Sequence, residues 1–294
     1  MAKQRRPLSG KVVAITGGAR GIGKATATAL VRKGCRVAIG DLDLGPAEKT
    51  AEELGGGTVA LELDVTDRGS FERFLDEAER QLGPVDVVVN NAGIMPVTPF
   101  AEESEGSMRR QVDINLHGVL TGTQLAIQRM RARGSGQIVN IASSAGKAGV
   151  PNIATYSATK HAVVGFCEAI RGELRGSGIE ISCVMPVPVN TELIDGVADQ
   201  RGIKRVEPED VANEIVDALE TSRFDVFVPR SLQYTLISGS LLPRRAREAV
   251  GRFMGIDKVM TAADRNARRA YESRSLRSKE AETEESSEAA KARN

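Results

Sequence analysis

Tyr156 and Lys160 stand four residues apart in Tyr-Ser-Ala-Thr-Lys, so on a helix both side chains lie on one face. A free phenol titrates near about 10. An adjacent ammonium favours the phenolate, and that turns a tyrosine into an acid or base usable nearer neutral pH. Ser143, at the end of an apolar run, can hydrogen-bond a substrate oxygen. Taken alone the pair is weak, because tyrosines and lysines at this spacing are common on helices. Its meaning depends on what else the chain brings to the same place.

An anion site is the first companion. Val12–Thr16 reads as a buried strand, and it runs into Gly17-Gly18-Ala19-Arg20-Gly21-Ile22-Gly23 and then a helix. A glycine-rich turn between strand and helix aims backbone N–H groups and a helix N-terminus at a pyrophosphate. Gly17 permits the tight turn, Gly21 a close backbone approach to the ligand, and Gly23 close helix–strand contact. Asp41 follows 18 residues after Gly23, at the end of the second strand. Its carboxylate can accept from adenosine ribose hydroxyls and repels a 2′-phosphate, so NAD is favoured over NADP. Arg20 is a counter-signal, because a basic side chain in the turn could pair with that phosphate. Asp43 nearby and the lack of a basic residue at position 42 tilt the balance to NAD. Asp64-Val65 and Asn90-Asn91-Ala92-Gly93 end the third and fourth strands, where open α/β sheets bind ligands.

These residues need a frame. Strand patterns at Arg36–Gly40, Val59–Leu63, Val85–Val89, Gln137–Ile141, Ile179–Val184 and Phe224–Val228 alternate with helical patterns. The helices are expected near Gly23–Lys33, Pro46–Leu54, Ser70–Leu82, Glu105–Arg133, Ala154–Gly172 and Pro208–Glu220. Apolar strands alternating with helices imply a parallel sheet covered on both faces, and right-handed crossovers make it doubly wound. The expected class is α/β with seven parallel strands and a C-terminal helical extension.

The whole set resembles the short-chain dehydrogenase/reductase family, in its single-domain branch and not the sugar-nucleotide epimerase branch. The resemblance rests on the TGxxxGxG spacing of Thr16, Gly17, Gly21 and Gly23, on NNAG at 90–93, and on Ser143, thirteen residues before YSATK. Asn115, in Asp113-Ile114-Asn115, matches the helix asparagine that completes the family's tetrad. It covers roughly residues 8–229 and implies a Rossmann-type sheet with reversible hydride transfer between a nicotinamide and an alcohol or carbonyl. By the same resemblance Tyr156 exchanges the proton, and Lys160 holds the nicotinamide ribose and lowers the tyrosine pKa. Ser143 orients the substrate oxygen, and Asn115 holds a water in a proton relay. One departure stands out: where the family usually has Pro-Gly, this chain has Pro186-Val187-Pro188-Val189-Asn190-Thr191. Val189 and Thr191 can still meet the carboxamide, while Val187 should stiffen the turn and narrow the pocket.

Composition sets the outer bounds. The 40 Lys+Arg balance 39 Asp+Glu, and aromatics are 3% with no Trp. A near-neutral chain poor in aromatic residues gives no global drive towards nucleic acid. Cys35, Cys167 and Cys183 are widely spaced and read as buried thiols, and two histidines are too few for a metal site, so no metal is expected. His161 is expected against a neighbour or solvent, and Met95 and Met185 in core or pocket. No signal peptide or spanning run is evident, so a cytoplasmic protein, with membrane association left open, is the expectation.

Residues 8–230 form the expected catalytic domain, with a long connection over 187–206 as a candidate lid carrying Leu193, Ile194 and Val197. Residues 231–275 form an extension for which three readings compete: subunit packing into a homodimer or homotetramer, a pocket cover, and a peripheral membrane contact. The last two suit an apolar, lipid-, sterol- or ketoacyl-like alcohol or ketone. Residues 276–294 should be a disordered tail. The alternative to a dehydrogenase is a non-catalytic nicotinamide-binding regulator of the same fold.

Overall fold

The computed structural model describes residues 5–197, 204–234, 243, 245–246, 248–249, 260 and 263–275. The chain forms β1 (Val12–Thr16), α1 (Gly21–Arg32), β2 (Arg36–Asp41), α2 (Leu44–Leu54), β3 (Val59–Glu62), α3 (Arg68–Leu82) and β4 (Val87–Asn90). There follow α4 (Glu105–Val112), a π turn (Asp113–His117), α5 (Gly118–Arg131), β5 (Gly136–Ile141), α6 (Ala154–Glu173) and β6 (Ile179–Pro186). Next come α7 (Pro208–Thr221), β7 (Asp225–Val228) and, near the C-terminus, α8 (Arg265–Ser275).

The seven strands pair in parallel in the order β3-β2-β1-β4-β5-β6-β7. The winding direction reverses between β1 and β4, which opens a crevice at their carboxyl ends. Central strands are buried on both faces, which is why they are continuous β-branched runs and not alternating ones. Phe71, Phe74 and Leu75 of α3, Leu125 and Met130 of α5, and Val163 of α6 fill one face. Leu30 of α1 and Ile215 and Leu219 of α7 fill the other against Ile15, Ile39 and Val89. Each such side chain contributes roughly 1.5–3 kcal/mol on burial.

The helix expected over Glu105–Arg133 is one rod interrupted by the π turn around Asn115. Periodicity could not show this, because a single inserted residue leaves the apolar stripe nearly unchanged. β6 runs two residues beyond its expected end, through Pro186. α8 was not separable in the sequence from the charged stretch around it. Most of the apolar run 232–242, part of the 187–206 connection, and the tail 276–294 lie outside the described residues.

Candidate active site

The turn after β1 is built for close approaches. Gly17 and Gly21 have φ of +63° and +54°, in the left-handed region that favours glycine. A Cβ on Gly23 would lie 2.1 Å from the Gly17 carbonyl oxygen and 2.7 Å from Asn91 Nδ2. Gly23 therefore packs on the turn itself and on the end of β4, where the sequence pointed to general helix–strand contact. The Thr16 hydroxyl accepts from the Asn91 and Ala92 amides, both at 3.0 Å. Asn91 Nδ2 donates to the Thr16 and Gly17 carbonyls, both at 2.9 Å. Motifs 75 residues apart in sequence are stitched together by one hydroxyl and one carboxamide.

These bonds shape one wall of a cleft of about 1290 Å³ at the carboxyl edge of the sheet. Gly17, Arg20, Gly21, Ile22, Asp41, Asp64, Val65, Asn91, Ala92, Gly93, Val189 and Thr191 line it, as do Ser143, Tyr156 and Lys160. Gly23 and Asn115 lie behind the lining. No side chain caps α1, so its first N–H groups are left for an anion. Asp41 Oδ2 accepts from the Ala19 amide at 3.0 Å and Oδ1 from the Asp43 amide at 3.2 Å. Burial pushes its carboxyl up, against the pull of those two amides. Arg20 is turned aside: its guanidinium pairs with Asp43 at 2.8 Å and lies 3.7 Å from Glu192. The Thr191 methyl covers Gly21, 3.3 Å from where a Cβ would sit. A phosphate-bearing dinucleotide fits this donor and acceptor set.

At the inner end of the cleft, Ser143 caps a short 3-10 turn, its hydroxyl accepting from the Ala145 amide at 3.1 Å. Tyr156 and Lys160 lie on one face of α6, both buried. Lys160 Nζ donates to the Ile141 carbonyl at 2.7 Å and lies 5.6 Å from the Tyr156 ring centroid. Burial pushes the Lys160 ammonium down to about 8. Burial also pushes the Tyr156 phenol up to about 12, with a hydrogen bond to Ser143 working against it. Lys160 is not among the groups that pull the phenol down in the cofactor-free site. The ammonium is engaged with a backbone carbonyl, and desolvation of the phenol wins.

Asn115 is fully buried, and its side chain is already spent. Oδ1 accepts from the Ile94 amide at 2.8 Å, and Nδ2 donates to the Ile94 carbonyl at 2.9 Å. A water held by this residue would have to use its backbone. A π turn of this kind leaves a backbone carbonyl without its helical partner. Gly93 lets this assembly close: a Cβ there would lie 3.2 Å from Asn115 Oδ1 and 3.7 Å from Lys160 Nζ.

Around Tyr156 the lining turns apolar. Met95, Val97, Ala145, Ile153, Ile194, Val197 and Met260 cluster with it, and Leu193 packs on their edge. Met95 is thus pocket lining, whereas Met185 is fully buried in the core. Val187 is buried in the same cluster as Phe227 and Leu232. His161 is exposed at the rim, its Nδ1 2.8 Å from the Ser157 carbonyl oxygen. The three cysteines are buried free thiols. Among the described residues no helix is long and apolar enough to cross a membrane, and no group of three His, Cys, Asp or Glu is placed to hold a metal.

Two residues at the site were missed in the sequence. Tyr271 lines the cleft, and Arg268, only 1% exposed, lies beneath the apolar cluster. Both come from α8, whose basic composition reads as a solvated face. A rare tyrosine in that run was the only signal.

The family model described as short chain dehydrogenase matches residues 11–202. Sorbitol dehydrogenase of Cereibacter sphaeroides is 40% identical over 68% of this chain and 80% of its own length. The 17-beta-hydroxysteroid dehydrogenase 13 of Rattus norvegicus is 28% identical over 91% of both chains. Glycine betaine reductase ATRR of Emericella nidulans is 39% identical over 72% of this chain, which spans 18% of that longer protein. A solved short chain dehydrogenase/reductase from Burkholderia phymatum, in complex with NAD, superposes with a TM-score of 0.73 at 25% identity. It covers 79% of this chain and 93% of its own.

Proposed function

The chain belongs to the short-chain dehydrogenase family, and from that premise we propose that it moves hydride between NAD and an apolar secondary alcohol or ketone. The observation that carries this reading is the grouping of Ser143 with buried Tyr156 and buried Lys160 at the apolar end of a cleft whose other end fits a dinucleotide.

Each residue has a task in this scheme. The glycine turn and the α1 N-terminus hold the pyrophosphate. Asp41 accepts from the adenosine ribose. With Arg20 held by Asp43, no free guanidinium meets a 2′-phosphate there, which supports NAD over NADP. A bound nicotinamide supplies the hydride acceptor or donor. Ser143 orients the substrate oxygen, and Tyr156 exchanges a proton with it. Lys160 leaves the Ile141 carbonyl for the nicotinamide ribose hydroxyls and places its charge near the phenol. That charge, with the positive ring of oxidised cofactor, is what must bring the phenol down from about 12 before it can act as a base. Asn115 fixes Ile94 and, through the π turn, offers a backbone carbonyl to a relay water.

The apolar cluster around Tyr156 supports an apolar substrate, and the match to a hydroxysteroid dehydrogenase over nearly the whole chain agrees with it. A homo-oligomer in solution is part of the same proposal. A regulator that bound cofactor without turnover would gain nothing from a buried ammonium beside a serine-bonded phenol. The test is a screen of alcohols and ketones with NAD and NADP, read at the reduced-cofactor absorbance, on wild type and Tyr156→Phe. Turnover with NAD that collapses in Tyr156→Phe while NAD still binds is expected. Equal turnover in the two proteins would overturn the scheme.

A further inference from the structure

Arg268 is a guanidinium with 1% of its surface exposed, on a helix that otherwise reads as solvated. Burying such a charge is costly unless every donor finds a partner. Here Nη2 donates to the Met95 carbonyl at 2.7 Å, and Nη1 to the Leu193 and Asp195 carbonyls at 3.1 and 3.0 Å. Nε meets Glu272 Oε1 at 3.0 Å. Three separate stretches of chain converge on this one fork: the loop after β4, the segment after β6, and α8 itself.

The rest of α8 reinforces the convergence. The Tyr271 hydroxyl accepts from the Met95 amide at 2.9 Å, and Glu272 Oε1 accepts from the Val97 amide at 3.2 Å. The Asp264 amide, just before the helix, donates to the Gly196 carbonyl at 2.8 Å. Gly196 has a φ of +71°, and a Cβ there would lie 2.9 Å from the Asp264 carbonyl oxygen, so the contact needs glycine. Arg274 pairs with Glu192 at the outer end. Met95 and Val97, fastened in this way, pack with Tyr156 in the apolar cluster, as do Ile194 and Val197, the neighbours of the fastened Leu193, Asp195 and Gly196. Tyr271 stands in the cleft itself, and among the described residues its proton has no acceptor.

We propose that α8 is the substrate-side wall of this chain's own active site, with Arg268 as the positioning residue that latches it and Tyr271 as the phenol it presents to the ligand. The proposal rests on the dehydrogenase reading for the identity of the ligand, an apolar alcohol or ketone, and selects the pocket cover among the readings for α8, Arg265–Ser275. Arginine is required because a planar fork can serve carbonyls in different directions at once, whereas an ammonium at the end of a lysine cannot span all four oxygens.

The test uses the full chain as wild type, Arg268→Met, Arg268→Lys and Tyr271→Phe. Hydrogen exchange is followed over residues 93–98 and 192–197. The emission spectrum of bound NADH serves as a probe of water at the reaction end. In Arg268→Met, exchange in both stretches should rise at least about tenfold, with β1 and α1 unchanged. NADH should bind within about threefold of wild type, because the glycine turn keeps its own bonds to Asn91 and Asp41, but with emission shifted towards that of free NADH. Arg268→Lys should restore only part of the protection. Unchanged protection in Arg268→Met would overturn the latch. Lost protection with unaltered NADH emission would overturn the wall. Should Arg268→Met lose protection everywhere, Tyr271→Phe decides: faster exchange confined to 93–98 supports the proposal, and none refutes it. If wild type does not bind NADH, the dehydrogenase reading fails, while the exchange data still judge the latch.

Discussion

Lys160 should cost the cofactor-free protein stability, and the cost should disappear on the alkaline side of neutrality. Its ammonium is 3% exposed and is pushed by burial from the ordinary 10.5 to about 8. At about 1.36 kcal/mol per pH unit, that gap is on the order of 3 kcal/mol of unfavourable burial at pH 7. The sign follows from proton counting. Below about 8 both the folded and unfolded chains hold the proton. Between about 8 and 10.5 the folded chain has released it and the unfolded chain has not, so the unfolded state binds more protons and stability rises with pH. The burial of Tyr156, with a phenol raised to about 12, acts in the opposite direction only above its ordinary 10.

Lys160→Met keeps the stem and removes the charge. Urea unfolding of both proteins without cofactor, between pH 7 and 9, should show their stability difference drifting by about 1 kcal/mol in favour of the wild type as pH rises. Cys35, raised by burial to about 11, begins to oppose folding at the upper end, but it does so equally in both proteins. The absolute stability of Lys160→Met is less telling, because the bond to the Ile141 carbonyl is lost along with the charge. With NAD added, wild-type affinity should fall as pH rises through about 8, since ribose hydroxyls favour the charged amine. A stability difference that stays flat from pH 7 to 9 would refute the reasoning.

Gly23→Ala should destabilise the fold by about 1–3 kcal/mol and weaken NAD binding, because the new methyl meets backbone that cannot retreat. Gly149→Ala, with nothing within 4 Å of its Cβ, should change stability by under about 0.5 kcal/mol in the same thermal melts. Replacing Asp41 by Ala together with Leu42 by Arg should narrow or reverse the NAD-to-NADP ratio of kcat/KM, and a ratio left unchanged would show that Asp41 does not read the ribose. Ser143→Ala should lower kcat by about a hundredfold or more with NAD affinity intact. Because Ser143 pulls the Tyr156 phenol down, the alkaline pKa of the residual activity should move up.

How legible the site was depended on where its information lay. The strands are buried on both faces, so their β-branched runs announced them, and the glycine turn announced itself because its spacing is a backbone requirement. Tyr156 and Lys160 were legible as a pair on α6, but not the state of their protons. Four residues of spacing say that two side chains share a face; they do not say that a carbonyl such as that of Ile141 will claim the ammonium first. Asn115 was legible as a residue and not as a geometry, since the π turn leaves no trace in the apolar pattern. Arg268 was illegible. A buried arginine on a basic helix looks like its exposed neighbours until the partners, which lie more than 70 residues away in sequence, are known.

Those partners show why the loop after β4 governs the site. Asn91 and Ala92 are bonded to Thr16, which fixes the cofactor turn. Ile94 is held at both its amide and its carbonyl by Asn115, which ties it to the interrupted helix. Met95 is held at both by Tyr271 and Arg268, and Val97 by Glu272, which tie it to α8. Few of these backbone groups belong to sheet or helix ladders, so side chains from elsewhere must satisfy them. The loop is therefore positioned from three directions at once, and in the proposed scheme each direction serves a different part of the chemistry: phosphate, proton and substrate. On that scheme, substitutions that alter the α8 bonds can change the substrate while the Thr16 and Asn115 bonds stay in place.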